Sequence, residues 1–262
     1  MAACQTFEGD IVIETGTTDS LAFDGIEVLE GSFRAVNVSD LTQISSSTLQ
    51  RITEELELDE LQVLSTLNFP QLAEVDTIRW NALPALQALT FDTEVQNAAT
   101  VDIQNTGLAS LTGITLDSVD NLIIANNPFL KEISLSLGNV SEALTLEGNA
   151  KDLVVEFPEL IWAVNMTLRN CSEISVPQLE LVNGSLGVYG GNFESFAAPE
   201  LESVGEALSI VDNVELSNLS FPVLTEIGGG FQIANNTNLD VIDVPELESV
   251  GGAIDFTGNF SE

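Results

Sequence analysis

Carboxylates are the side chains of this sequence that could do chemistry. The chain of 262 residues holds 41 acidic residues against six basic residues and no histidine. The densest acidic cluster is Glu54, Glu55, Glu57, Asp59 and Glu60. Paired carboxylates act as acid and base in glycoside hydrolysis, and their oxygens also suit Ca²⁺. These acids alternate with apolar residues and lack the D-x-D-x-D-G spacing of a calcium loop, which favours a solvated face.

The same composition excludes several classes of function. Without histidine there is no Ser-His-Asp or Cys-His nucleophile and no imidazole ligand for a metal. Two cysteines are too few for a Cys₄ zinc site or an iron–sulfur cluster. A formal net charge of −35 repels phosphate backbones, so nucleic acid is excluded as a partner. We therefore predict no catalytic residue, no metal site and no cofactor.

Asparagine sequons are the second chemical feature. Eight N-x-S/T motifs occur, at Asn37, Asn139, Asn165, Asn170, Asn183, Asn218, Asn235 and Asn259. Their number favours a secreted glycoprotein. The alternative is that asparagines at turns, followed by polar residues, create sequons without being modified.

An internal repeat of about 22 residues must position these side chains. In the C-terminal half each unit reads Pro-x-Leu, then Val or Ile, a small turn, a short alternating strand and Asn. Pro177, Pro199, Pro222 and Pro245 are spaced by 22, 23 and 23 residues. One such unit cannot bury its own apolar side, whereas stacked units form a continuous core.

An asparagine at the end of the strand recurs through the chain. We predict a structural ladder in which each amide bonds the backbone of the adjacent turn. Its members are Asn105, Asn127, Asn149, Asn170, Asn192, Asn213, Asn236 and Asn259. An asparagine that bonds inward cannot also carry a glycan. Asn139, Asn183 and Asn218 lie away from the ladder and are the preferred glycosylation candidates, followed by Asn165 and Asn235.

The pattern predicts an all-β fold, a right-handed leucine-rich β-solenoid of about twelve turns. Residues 1–262 would form a single continuous domain. Short alternating strands such as I-A-N-N direct one face inward, and proline belongs where a strand starts. Helical spacing is weak and is strongest between Leu41 and Leu64. No apolar run approaches the ~20 residues that a membrane span needs.

The repeat resembles that of receptor L-domains. The units Phe221 to Asn236 and Val250 to Phe260 are similar to those of the fungal GPI-anchored cell-wall-organisation and sporulation-specific protein family, which is built on that leucine-rich β-helix. Residues Cys4 to Ile11 are similar to the family's entry into the first strand. The resemblance covers nearly the whole chain.

This resemblance implies an extracellular, N-glycosylated protein at the cell wall or the outer face of the plasma membrane. Its implied partners are wall polysaccharide or other wall and surface proteins, and the membrane is reached only through a lipid anchor. The family's secretion signal, Ser/Thr-rich stalk, C-terminal cap and anchor tail are not in this sequence. We expect the chain to begin inside the N-terminal cap, so that Cys4 would have bonded an upstream cap cysteine.

The two cysteines are not expected to bond each other. Cys4 and Cys171 are 167 residues apart, which is about 7.5 turns of the repeat. At a strand spacing of ~4.8 Å that separation is roughly 36 Å, while bonded Cα atoms lie within ~7 Å. We interpret Cys171 as a small buried hydrophobic residue.

The favoured function is a non-enzymatic structural or interaction protein that supports fungal cell-wall organisation. A β-helical polysaccharide hydrolase or lyase that uses Asp and Glu is the alternative from another class, and a leucine-rich adhesin is a third. Trp80, Trp162 and Tyr189 could stack on sugars, although packing in the core or at an edge is the favoured interpretation.

Overall fold

A computed structural model describes residues 5–16 and 19–258. The fold is all-β, with no helix in the described residues, and forms a parallel β-solenoid of about eleven turns. This confirms the predicted fold class, while the leucine-rich subtype and the right-handed winding stay predictions. The chain groups into two compact units, residues 1–130 and 131–262. A single continuous domain also stays a prediction.

The first unit contains two parallel sheets. Its larger sheet, called the front sheet, consists of β1 (Thr6–Glu8), β2 (Ile11–Ile13), β4 (Val28–Glu30), β5 (Phe33–Val36), β7 (Arg51–Asp59), β9 (Glu74–Leu83), β11 (Thr100–Thr106) and β12 (Ser118–Ala125). A second sheet is formed by β3 (Ser20–Ala22), β6 (Gln43–Ser45), β8 (Thr66–Asn68) and β10 (Leu89–Thr90).

The strands of the second unit belong to a front sheet and two small sheets. The front sheet holds β14 (Asn139–Glu147), β16 (Trp162–Arg169), β18 (Leu181–Val182), β19 (Leu186–Tyr189), β21 (Ser203–Val204), β22 (Leu208–Val211), β24 (Glu226–Ile227), β25 (Phe231–Ala234), β27 (Ser249–Val250) and β28 (Ile254–Thr257). The small sheets are β13 (Glu132–Ser134), β15 (Leu153–Glu156) and β17 (Cys171–Ser175), and β20 (Ser195–Ala197), β23 (Asn218–Ser220) and β26 (Val241–Asp243).

Alternation of apolar and polar residues sets the register of every turn. Leu208 lies beside Phe231 and Ile210 lies beside Ile233 in the paired strands β22 and β25, and all four side chains are buried. Residues between them, such as Ser209, face outward. The segment with the strongest helical spacing contains β7, because its leucines alternate with acids at the period of a strand.

Two backbone devices make the corners. Residues at the strand ends adopt positive φ, which asparagine tolerates better than most residues. At the corner that contains Gly228, only glycine fits, because a Cβ there would lie 2.1 Å from the carbonyl oxygen of Gly205 in the preceding turn. The Gly228 N–H donates to the Val204 oxygen at 2.8 Å. Turns can therefore stack closely where the repeat places Gly.

Candidate functional site

Four of the predicted ladder asparagines are buried, namely Asn127, Asn149, Asn213 and Asn236. The Asn213 Oδ1 accepts the Gly191 N–H at 2.8 Å, and its Nδ2 donates to the Val188 oxygen and to the Asn236 Oδ1, both at 3.1 Å. Asn236 Nδ2 donates to the Ile210 oxygen at 2.8 Å. These amides satisfy backbone groups that would otherwise be buried without partners.

The first unit repeats this arrangement at Asn127. Its Oδ1 accepts from the Thr106 N–H at 3.0 Å and from the Thr106 hydroxyl at 2.7 Å. Its Nδ2 donates to the Ile103 oxygen at 3.0 Å. Asn149 is also buried. The buried amide is thus a structural element of both units.

Other predicted ladder members occupy a second, exposed column one residue earlier. Asn105 and Asn170 have φ of 55° and 60° and lie at the strand corners. Asn105 Nδ2 donates to the Asn81 Oδ1 at 2.8 Å, and Asn170 Nδ2 reaches the Gly190 oxygen at 3.5 Å. The single register read from the sequence therefore combines two adjacent columns.

Asn192 differs from both columns. Asn192 is exposed, and the buried position in its turn is taken by Gly191. With its amide oriented to satisfy both neighbours, Asn192 donates to the Cys171 oxygen at 3.0 Å and the Lys151 oxygen at 3.3 Å. Asn259 lies outside the described residues, as does Cys4.

The glycosylation candidates divide by what their amides contact. Asn183 and Asn218 are exposed, Asn139 is half-buried, and none of their side chains forms a hydrogen bond within the described ranges. Asn165 is exposed but held, because its Nδ2 lies 3.4 Å from the Glu142 oxygen and its Oδ1 accepts the Ser185 N–H at 3.1 Å.

Asn235, the last candidate, is also engaged. It lies at a corner with φ of 59°, and its Nδ2 donates to the Asp212 Oδ1 at 2.9 Å. Attachment of a sugar to this nitrogen would compete with that contact. The placement is consistent with the preference for Asn139, Asn183 and Asn218, and glycosylation itself stays a prediction.

The dense acidic cluster of β7 lies against arginines of neighbouring strands. Glu55, whose side chain is 16% exposed, lies 3.4 Å from Arg34 and 3.1 Å from Arg79. Glu57 is 3.5 Å from the Arg34 Nε. Asp59 accepts a hydrogen bond from the Asn81 amide at 2.8 Å. These outward carboxylates are cross-strand partners, as opposite charges on adjacent strands prefer.

Among the residues that the structure describes, three titratable groups have shifted pKa values. The Ser47 N–H and hydroxyl donate to Asp24 and lower the pKa of that carboxyl. Lys131, 2.7 Å away, lowers the pKa of Asp152. Burial raises the pKa of the Cys171 thiol to about 12, and Cys171 is a free cysteine. Within the described residues, no group of three or more acidic, cysteine or histidine side chains is placed to hold a metal.

Aromatic side chains occupy three different environments. Trp80 is fully buried and packs edge-on against Phe91. Trp162 is half-buried at the start of β16. Tyr189 lies on the outward side of β19, where its ring covers Gly187 and the Arg169 guanidinium carbon stands 4.2 Å from the ring centroid.

The outward side of the second unit's front sheet is the feature that sequence reasoning missed. Strands β16, β19, β22 and β25 contain no carboxylate, and their one charged residue is Arg169. The signal was present, since the outward positions Gly187, Ser209 and Gln232 are uncharged in an otherwise acidic chain. It becomes visible when the register places these positions side by side.

Comparison with known proteins adds relatives from fungi. Protein ecm33 of Aspergillus fumigatus is 40% identical over 262 residues, which is all of this chain and 66% of the relative. A cell surface GPI-anchored protein of Arthroderma benhamiae is 38% identical over 221 residues, covering 84% of the chain and 57% of the relative. Sporulation-specific protein 2 of Saccharomyces cerevisiae is 36% identical over 222 residues, covering 84% and 44%.

The chain belongs to the Ecm33 and sporulation-specific protein family of fungi. No protein-family model and no solved structure matches it. The Ecm33-like chain spans from 44% to 66% of the length of these three relatives. Relatives named as cell wall and cell surface proteins place it outside the cell, at the fungal cell wall. Its described residues include no helix long and apolar enough to cross a membrane.

Proposed function

We propose that this Ecm33-like chain is a non-enzymatic structural or interaction protein that supports organisation of the fungal cell wall. The observation that carries the proposal is its relation, over its full length, to a protein named ecm33, together with relatives named as cell wall proteins. Its partners would be wall polysaccharide or other wall and surface proteins. It would be held at the membrane only through a lipid anchor, as the GPI-anchored relatives are named.

The arrangement of the sheets supports an interaction role. Parallel strands stack into a sheet, and the buried asparagines and the glycine corners hold its neighbouring turns together. A solenoid surface of this kind presents regularly repeated side chains to an extended partner. The front sheet of the second unit is free of carboxylates over four neighbouring strands, so an uncharged partner can approach it without desolvating acids.

The contacts of the acidic cluster support a role without catalysis. A glycosidase needs one carboxylate and one carboxylic acid whose environments differ, facing the same sugar. Glu55 and Glu57 instead share Arg34, and Glu55 also contacts Arg79. Both carboxylates thus form ion pairs with arginines of the neighbouring strands.

A gene replacement tests the proposal. In Aspergillus fumigatus, the region of ecm33 that aligns with this chain is replaced by residues 1–262, with the remaining third of the relative kept. We expect the chimera to restore growth on wall-perturbing dyes to the level of the intact gene. A chimera that reaches the cell surface, shown by immunofluorescence, but behaves like the deletion strain would overturn the proposal.

A second assay addresses the hydrolase alternative. Purified chain is incubated with wall glucan and with pectin, and release of reducing sugar is followed over a day. We expect no release above a heat-denatured control. The non-enzymatic role would be refuted if the chain released sugar and Glu55→Gln abolished this activity while Glu173→Gln on β17 left it intact.

A further inference from the structure

A row of hydroxyl groups crosses the outward side of the second unit's front sheet. Thr145 and Thr167 are register partners on β14 and β16, and Gly187 and Ser209 continue the same column on β19 and β22. Gly187 offers no side chain, but the hydroxyl of Tyr189 lies over it, 2.6 Å from where a Cβ would stand. The row therefore runs through four strands without a gap.

These hydroxyls are not used inside the protein. None of the four, from Thr145, Thr167, Tyr189 and Ser209, makes a hydrogen bond among the residues that the structure describes. Each hydroxyl can donate one hydrogen bond and accept two. Neighbouring strands lie ~4.8 Å apart, which is close to the length of one sugar residue in an extended polysaccharide. The row thus offers one donor–acceptor group per sugar.

Arg169 adds a stronger donor beside the row. Its guanidinium carbon stands 4.2 Å from the centroid of the Tyr189 ring, and its Nε lies 3.7 Å from Glu147. The two terminal nitrogens make no ion pair or hydrogen bond in the described structure, and the side chain is 43% exposed. A planar guanidinium fixed in this way can donate to two adjacent hydroxyls of one sugar.

We propose that this hydroxyl row, together with Arg169, binds an extended neutral polysaccharide, with one sugar residue over each strand. The proposal rests on the wall function above and names the chemistry of its partner. Neutrality follows from charge, because a chain of net charge −35 repels a polyanion. Sugar suits the row, because its hydroxyl groups repeat at the strand spacing and each can donate and accept hydrogen bonds.

A matched pair of double variants tests the row. T145V/T167V removes two hydroxyls while keeping branched side chains on the strands. T77V/T100V makes the same change at register partners on β9 and β11 of the first unit's front sheet. The probes are β-1,3-glucan, chitin and mannan particles, with polygalacturonate as the anionic control, and Kd is obtained from co-sedimentation. The protein is produced in a bacterial host, because Thr167 also completes the Asn165 sequon.

We expect binding to at least one neutral polysaccharide and none to polygalacturonate. Two lost hydrogen bonds should weaken that binding about tenfold in T145V/T167V and leave it unchanged in T77V/T100V. Arg169→Lys keeps the charge but loses the planar pair of donors, so it should weaken binding severalfold. Lys131→Ala, directly before β13, should leave binding unchanged. Circular dichroism confirms that each variant is folded.

Two results would overturn the row. One is equal affinity of both double variants for the bound polysaccharide. The other is a wild-type chain that sediments with isolated fungal walls but with none of the three pure polysaccharides, which would assign the partner to protein. In either case the ecm33 chimera described above would still restore growth. The growth assay therefore tests the wall function separately from polysaccharide binding by the hydroxyl row.

Discussion

Replacing Asn213 by alanine should destabilise the second unit through two backbone groups that lose their partners. The Gly191 N–H loses its acceptor at 2.8 Å, and the Val188 oxygen loses its donor at 3.1 Å. Both bonds are buried. A buried polar group left unsatisfied costs about 1–3 kcal/mol, so the two together cost about 2–6 kcal/mol. The lower bound corresponds to a fall in Tm of about 4–8 °C for a chain of this size.

Asn218→Ala provides the control, since Asn218 is exposed on β23 and its side chain forms no hydrogen bond in the described part of the chain. Its free energy of unfolding should stay within about 0.5 kcal/mol of wild type. Urea unfolding followed by circular dichroism compares the variants. Because repeat proteins can open locally, hydrogen exchange at Gly191 is measured as well, and we expect faster exchange in Asn213→Ala. Equal unfolding energies and unchanged exchange at Gly191 would refute a stabilising role for the buried amides.

Four further outcomes are expected. Gly228→Ala should lower the free energy of unfolding by about 1–3 kcal/mol, whereas Gly230→Ala, whose Cβ would meet only the Ala253 oxygen at 3.4 Å, should be tolerated in a thermal melt. The Cys171 thiol should resist Ellman's reagent until the chain unfolds, and fast labelling of the native protein would contradict this. Because burial raises its pKa from 9.0 to about 12, the thiol ionises more readily in the unfolded chain, so the free energy of unfolding should fall as pH rises across that interval. Light scattering should show more self-association at pH 4 than at pH 7, since carboxylates with pKa values near ~4 lose charge, and equal scattering would count against charge repulsion. Glycopeptide mapping of chain secreted from yeast should find sugar on Asn183 and Asn218 and little on Asn235, and the reverse pattern would show that the amide contacts do not govern modification.

The period was enough to predict a β-solenoid, because the pattern L-x-I followed by Asn directs one side of each strand inward in every turn. The dipeptides Asn126-Asn127 and Asn235-Asn236 show where that reasoning stops. One asparagine of each pair forms the exposed corner with positive φ and the next is buried. Asparagine suits both positions for different reasons, so residue type alone does not reveal which of the two faces inward.

The hydroxyl row could not be predicted from the sequence, because its residues are not evenly spaced along the chain. Thr145 and Thr167 are 22 residues apart, but Thr167 and Gly187 are only 20 apart, so a fixed period does not align the column. The register pairs supply that alignment. The Tyr189 hydroxyl completes the row only because its side chain turns back over Gly187, a rotamer that no pattern of residue types specifies.

The distribution of charge connects stability with binding. Glu55, Glu57 and Glu74 on the first unit's front sheet are paired with Arg34, Arg51 and Arg79, which are three of the chain's six basic residues. On the second unit's front sheet the acids are absent from four strands, and Arg169 is left with two free nitrogens. A surface without carboxylates on a protein of net charge −35 stays unpaired with other copies, because the remaining surface repels them at neutral pH. The same charge that keeps copies apart therefore leaves the hydroxyl row available to a neutral partner, which pays no electrostatic penalty for approaching it.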